Sequence, residues 1–154
     1  MATKIVPSDL IVTITESYTL NGVSYGNTMN KTYNDNGQVS QRVMSIAGKG
    51  DGSDFTGILA LSTADGQGQF VELNYKYFRI TNLDTANTLN LRVYNGVDYV
   101  FFELSPASSL LLMDAGLDAT TTAVAVTFAD IETIVGQSSH ATEAIDVEFL
   151  MVTA

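Results

Sequence analysis

The chain reads as an all-β protein, an antiparallel β-sandwich of jelly-roll-like character built from about ten short strands. Three observations predict this. Apolar and polar residues alternate in short runs, most plainly between Tyr77 and Leu112, as in strands with one buried face and one wet face. Clusters of Asn, Asp, Gly and Pro separate the runs, and two of them are the Asn-Gly pairs Asn21-Gly22 and Asn95-Gly96, the strongest short hairpin signal. No sustained helical period interrupts the pattern. Only Ala129 to Val135 could form a helical turn, with Ile131, Ile134 and Val135 on one face, and it is too short to hold as an independent helix.

In order, Met1 to Asp9 is an N-terminal arm, and residues 10–154 form a single sandwich domain. Leu10 to Leu20 is the first strand, with Leu10, Val12, Ile14, Tyr18 and Leu20 on one face and Thr13, Thr15, Ser17 and Thr19 on the other. Asn21-Gly22 tolerates the positive φ of a tight hairpin and returns the chain through Val23 to Tyr33. Asn34 to Gly37 is a second turn, and Val39 to Ile46 a third strand. Ala47 to Asp54 carries three glycines without apolar periodicity and reads as an exposed loop. Phe55 to Thr63 is the next strand and Ala64 to Gln69 a turn. Neither face of Phe70 to Thr81 is cleanly apolar, which predicts a bulge within that strand. Thr88 to Tyr94 and Tyr99 to Leu104 flank Asn95-Gly96, and Ser108 to Met113 follows the break at Pro106. After the loop Asp114 to Thr122 come Ala123 to Phe128, Ile131 to Val135 and Ile145 to Val152.

Composition limits the functional classes. At 154 residues the chain suits one domain with a sizeable core and needs no staple. It has no cysteine, which removes disulfides, thiolate metal sites and cysteine nucleophiles. Seventeen acidic against seven basic residues give a net charge of −10, so phosphate backbones and anionic membranes are repelled and neither is an expected partner. The longest apolar runs are far short of the ~20 residues of a membrane helix, and the start of the chain has no apolar stretch of signal length; a soluble protein made in a cytoplasm is expected. Charged residues are only 16%, below the roughly 25% of average domains. Either other subunits cover part of the surface, where charge is depleted, or a Thr- and Ser-rich sandwich simply uses fewer Lys and Glu.

No catalytic, cofactor-binding or metal site is predicted. Acids beside turns (Asp35, Asp51, Asp54, Asp65, Asp84, Asp98, Asp114 and Asp118) read as groups bonding their own backbone rather than as a hydrolytic pair. Asp51-Gly52-Ser53-Asp54 lacks the length and terminal Glu of a calcium loop. The only histidine, His140, lies in a polar loop, and no Gly-x-Ser-x-Gly elbow accompanies it. Phe55, Phe70, Phe78, Phe101, Phe102, Phe128 and Phe149 fall in strand-like runs where core burial is the default. Glu148 either faces solvent by alternation or pairs with Arg79 or Arg92.

Taken together, Ser8 to Leu20 with its Asn-Gly, Phe78 to Asp84, Leu89 to Val93, Phe102 to Leu112 with Pro106, and Ile145 to Glu148 resemble the small β-sandwich virion structural proteins of tailed bacteriophages. The resemblance implies a non-enzymatic, late-expressed particle component assembled in the host cytoplasm. A head decoration or cement protein is its first implication, with the major capsid protein or other virion proteins as partners and a homotrimer as its state; a neck, tail or fibre component is the variant. A lectin-like module that binds host glycans through Ala47 to Asp54 and Asp114 to Thr122 is the competing reading.

Overall fold

The computed structural model describes residues 6–50, 55–61, 75–113 and 131–154. The expected strand Ala123 to Phe128, the turn Ala64 to Gln69 and the loop Asp114 to Thr122 lie outside these residues, as do Asp51 to Asp54 and the first half of Phe70 to Thr81. Ten strands are described, all of them antiparallel to their neighbours. They divide into two compact units, residues 1–37 with Ala154 and residues 38–153.

The first unit is a long hairpin of β1 (Ser8–Leu20) and β2 (Val23–Asn36), which among the described residues pair only with each other. Its two-residue turn places Asn21 at φ 50° and Gly22 at φ 79°, the paired positive φ values that match the twist of the flanking strands. The register puts Leu10 opposite Tyr33, Val12 opposite Lys31, Ile14 opposite Met29, Tyr18 opposite Tyr25 and Leu20 opposite Val23. All nine apolar side chains of these pairs therefore share one face, and Thr, Ser and Asn fill most of the other. At the base, Asn34 to Asn36 continue β2 through a bulge instead of forming the expected turn. Asn36 Nδ2 donates to the carbonyls of Ser8 (2.8 Å) and Tyr33 (2.7 Å), so its side chain replaces ladder bonds that the bulge removes.

The second unit is the sandwich. One sheet has the order β3-β10-β5-β8 and the other β4-β9-β6-β7, with β3 Gln38–Ile46, β4 Thr56–Ala60, β5 Tyr75–Asn82, β6 Leu89–Tyr94, β7 Tyr99–Leu104, β8 Ser109–Met113, β9 Thr133–Ser138 and β10 Ile145–Thr153. Eight strands alternating between two four-stranded sheets in this order form a jelly roll. The first strand of these two sheets is β3, which begins at Gln38. The bulge expected in β5 is present: Val152 faces Tyr77 while Thr153 faces Tyr75. Thr133 to Val135 are extended in β9, not helical, because alternation sends Ile134 inward opposite Val93.

Inward residues of both sheets interdigitate. Phe78, Ile80, Val147, Phe149 and Met151 from one sheet, and Leu89, Leu91, Val93 and Ile134 from the other, are all but inaccessible to solvent. Each such side chain contributes about 1.5–3 kcal/mol by leaving water. Phe78 and Phe149 meet with ring centroids 6.2 Å apart, within the range of favourable aromatic pairs.

Candidate functional site

The outer face of the β4-β9-β6-β7 sheet carries the most chemically distinctive surface of the sandwich. Strand register aligns Gly57, Val135, Arg92 and Phe101 in one row and Ala60, Thr133, Tyr94 and Tyr99 in the next. Alternation points these side chains away from the core, whose contacts are made by Leu89, Leu91 and Val93. Gly57 and Ala60 supply no bulk at the β4 end of their rows, which leaves a shallow concavity of about 470 Å³ lined by Gly57, Ile58, Leu59, Ala60, Arg92, Thr133 and Val135.

Arg92 stands at the centre. Its guanidinium lies 4.7 Å from the Phe55 ring centroid and 5.0 Å from that of Tyr99, close enough for cation–π attraction. Tyr99 stacks on Tyr94 at 4.6 Å. The Tyr94 hydroxyl donates to the Gly96 carbonyl, and its pKa is raised by loss of hydration first and then by Tyr99, Glu132 and Asp98. It therefore stays protonated through neutral pH. Arg92 Nε is buried and has no hydrogen-bond acceptor among the described residues. Phe101 is 64% and Tyr99 50% exposed at the outer edge of the sheet, on β7. A guanidinium framed by aromatic rings can stack against a planar or sugar-like group and donate hydrogen bonds to its oxygens.

This contradicts the expectation that Phe101 belongs to the core. In β7 both parities are apolar, Tyr99 and Phe101 against Val100, Phe102 and Leu104. The usable signal was Glu103, which shares its side of the strand with Phe101 and marks that side as solvent-facing.

The other candidate residues are dispersed. Asp84 Oδ1 accepts from the backbone N–H groups of Ala86 (2.7 Å) and Asn87 (2.6 Å), and these bonds hold its carboxyl below the ordinary range, Asn87 contributing most. His140 Nδ1 accepts from the N–H groups of Glu143 (3.0 Å) and Thr142 (3.3 Å). The Glu143 carboxylate is 3.9 Å from the same nitrogen, a contact that is an ion pair only with a protonated imidazole. Glu148 meets both expectations at once: alternation places it on the outer face of the first sheet, where it pairs with Arg79 at 3.2 Å and accepts from Gln41 Nε2 at 2.7 Å. Among the described residues no group of three or more His, Asp or Glu side chains could hold a metal ion. Asp51 and Asp54 lie outside the described residues.

Further apolar surface is exposed elsewhere: Val39 and Val43 on β3, at the edge of the first sheet, and Tyr18, Leu20, Val23, Tyr25 and Met29 on the hairpin. No family model, curated protein or solved structure matches the chain.

Proposed function

We propose that this chain is a non-enzymatic virion structural protein of a tailed bacteriophage. In this reading it is a capsid decoration or cement protein that binds the major capsid protein and acts as a homotrimer. The observation that carries the reading is the exposed apolar surface on strand edges and on the hairpin, in a chain with few charges. Burying such area yields about 25 cal/mol per Å². A modest contact repeated over a lattice gains by avidity what one copy lacks. A position in the neck, tail or a fibre would use the same surfaces.

A second reading has its own observation. The concavity at Arg92, with Phe55, Tyr99 and Phe101 around it, suits a sugar ring stacked on aromatic faces, so a glycan-binding module is the alternative. Antibody raised against the purified chain separates the two. Regularly repeated labelling of virion heads in electron microscopy is the expected result, whereas unlabelled particles together with a positive glycan array would replace the first reading with the second.

A further inference from the structure

The hairpin carries a surface that fits a copy of itself, and this inference does not depend on the particle reading. Four successive residue pairs line the outer part of its apolar face, Ile14/Met29, Glu16/Asn27, Tyr18/Tyr25 and Leu20/Val23, and all of these side chains but the half-buried Ile14 are exposed. Tyr18 and Tyr25 stack with centroids 5.0 Å apart and are 58% and 45% exposed, so they stand proud of the face. One step towards the base, Ile14, Glu16, Asn27 and Met29 line a dent of about 210 Å³. Towards the base beyond it, Val12 and Tyr33 are already buried.

The geometry points to a two-fold, face-to-face contact between the hairpins of two copies, running antiparallel. The axis lies across the strands, between the Glu16/Asn27 pair and the tyrosine pair. Packed sheets sit about 10 Å apart, and successive pairs on one face are about 6.8 Å apart. With this axis Tyr18 lies over Glu16 of the second copy, Tyr25 over Asn27, Leu20 over Ile14 and Val23 over Met29. Both dents are filled by tyrosines, and the phenol hydroxyls reach a carboxylate and an amide, which satisfies polar groups that the contact would otherwise strand. The overlap ends before Val12 and Tyr33, so it uses the open part of the face and nothing already covered.

Other registers fit worse. An axis through the tyrosine pair sets tyrosine on tyrosine and lays Leu20 and Val23 over the dents, where Glu16 and Asn27 find no polar partner; one through Glu16 sets two carboxylates against each other, and a parallel arrangement sets tyrosine on tyrosine. The opposite face supports the same assignment. Its Thr13 Oγ1 donates to Asn30 Oδ1 (2.8 Å), and Thr15 and Thr28 hydroxyls lie 3.3 Å apart, a polar ladder suited to water. A two-stranded hairpin is marginal in water without a covered face. The contact engages four residue pairs of each copy, far fewer than the roughly 20–30 residues a side of standard interfaces, so it dissociates on dilution.

The test uses the full chain. Sedimentation equilibrium should show mass rising from 16.5 kDa towards twice that value across a hundredfold concentration series; a trimer through other surfaces would appear as multiples of three and would not respond to the variants below. Tyr18→Glu, which sets a second carboxylate against Glu16, should weaken association at least tenfold. Tyr18→Lys, which pairs with Glu16, should stay within about threefold of the parent. Because the chain has no cysteine, Glu16→Cys and Tyr18→Cys proteins can be joined by a short bis-maleimide. Their mixture should give cross-linked dimers in excess over either alone. Equal losses from Tyr18→Glu and Tyr18→Lys, strong self-cross-linking of each cysteine variant, or association indifferent to all of them, as edge-to-edge strand pairing would be, overturns the proposal. Unchanged circular dichroism melts confirm that each variant is folded.

Discussion

At the scale of single residues, buried polar side chains that replace backbone ladders are the points of greatest sensitivity. Asn82 is fully buried at the end of β5. Its Nδ2 donates to the carbonyls of Asn87 (2.9 Å) and Leu104 (3.1 Å), and its Oδ1 accepts from the N–H of Asp84 (3.0 Å). Leucine has a similar volume but strands three backbone groups, so Asn82→Leu should destabilise the fold by about 2–4 kcal/mol, read from urea midpoints at constant slope. Asp84 gives a pH signature. Its folded-state pKa is depressed by the Asn87 and Ala86 N–H groups, so its stabilising contribution is present above the ordinary carboxylate value near ~4 and is lost as the pH falls through the lower folded value. The stability gap between the parent and Asp84→Asn should therefore close on acidification below about pH 4. A gap that widens there would show that the carboxylate is not what the turn recognises.

At the scale of elements, turn chemistry decides whether strands form in register. The β1–β2 turn needs positive φ at two consecutive residues, and an L side chain in that region costs about 1–2 kcal/mol where Gly costs nothing. Asn21→Val with Gly22→Val should raise hydrogen exchange rates of the hairpin amides by tenfold or more, while protection in β5, β6 and β10 is unchanged. The second Asn-Gly works differently. Tyr94 pairs directly with Tyr99, so four residues connect β6 and β7, and Asn95 Oδ1 accepts from the N–H groups of Val97 (3.1 Å) and Asp98 (2.7 Å). Gly96 adopts φ 88°, and a Cβ there would strike the Glu132 carboxylate. The two pairs look alike in sequence; one is a two-residue turn and the other a side-chain-closed loop.

At the scale of the whole molecule, the jelly roll is dominated by pairings distant in sequence. β3 pairs with β10 from Gln38↔Thr153 to Ile46↔Ile145, and β6 pairs with β9 across the segment between them. Loop closure must precede any of these contacts, which places such topologies in the millisecond-to-second range. Stopped-flow refolding followed by tyrosine fluorescence should show no sandwich phase faster than about a millisecond. A sub-millisecond folding phase would mean that local hairpins, not the long-range ladder, limit assembly.

What the sequence determined by itself was local. Alternation located most of the strands. The bulge in β5 was legible because neither parity of Phe70 to Thr81 was apolar, and Asn21-Gly22 specified its turn because only a few residues tolerate that backbone. The tertiary structure decided what no local pattern encodes. Alternation states that one face of a strand is apolar, but not whether another element covers it. The apolar face of β1 and β2 looked like core and is largely open, and Phe101 looked buried and stands at a sheet edge. Likewise the gathering of Phe55, Arg92, Tyr94 and Tyr99 arises from strand order, which joins residues distant in the chain and leaves no signature in the spacing of any one of them.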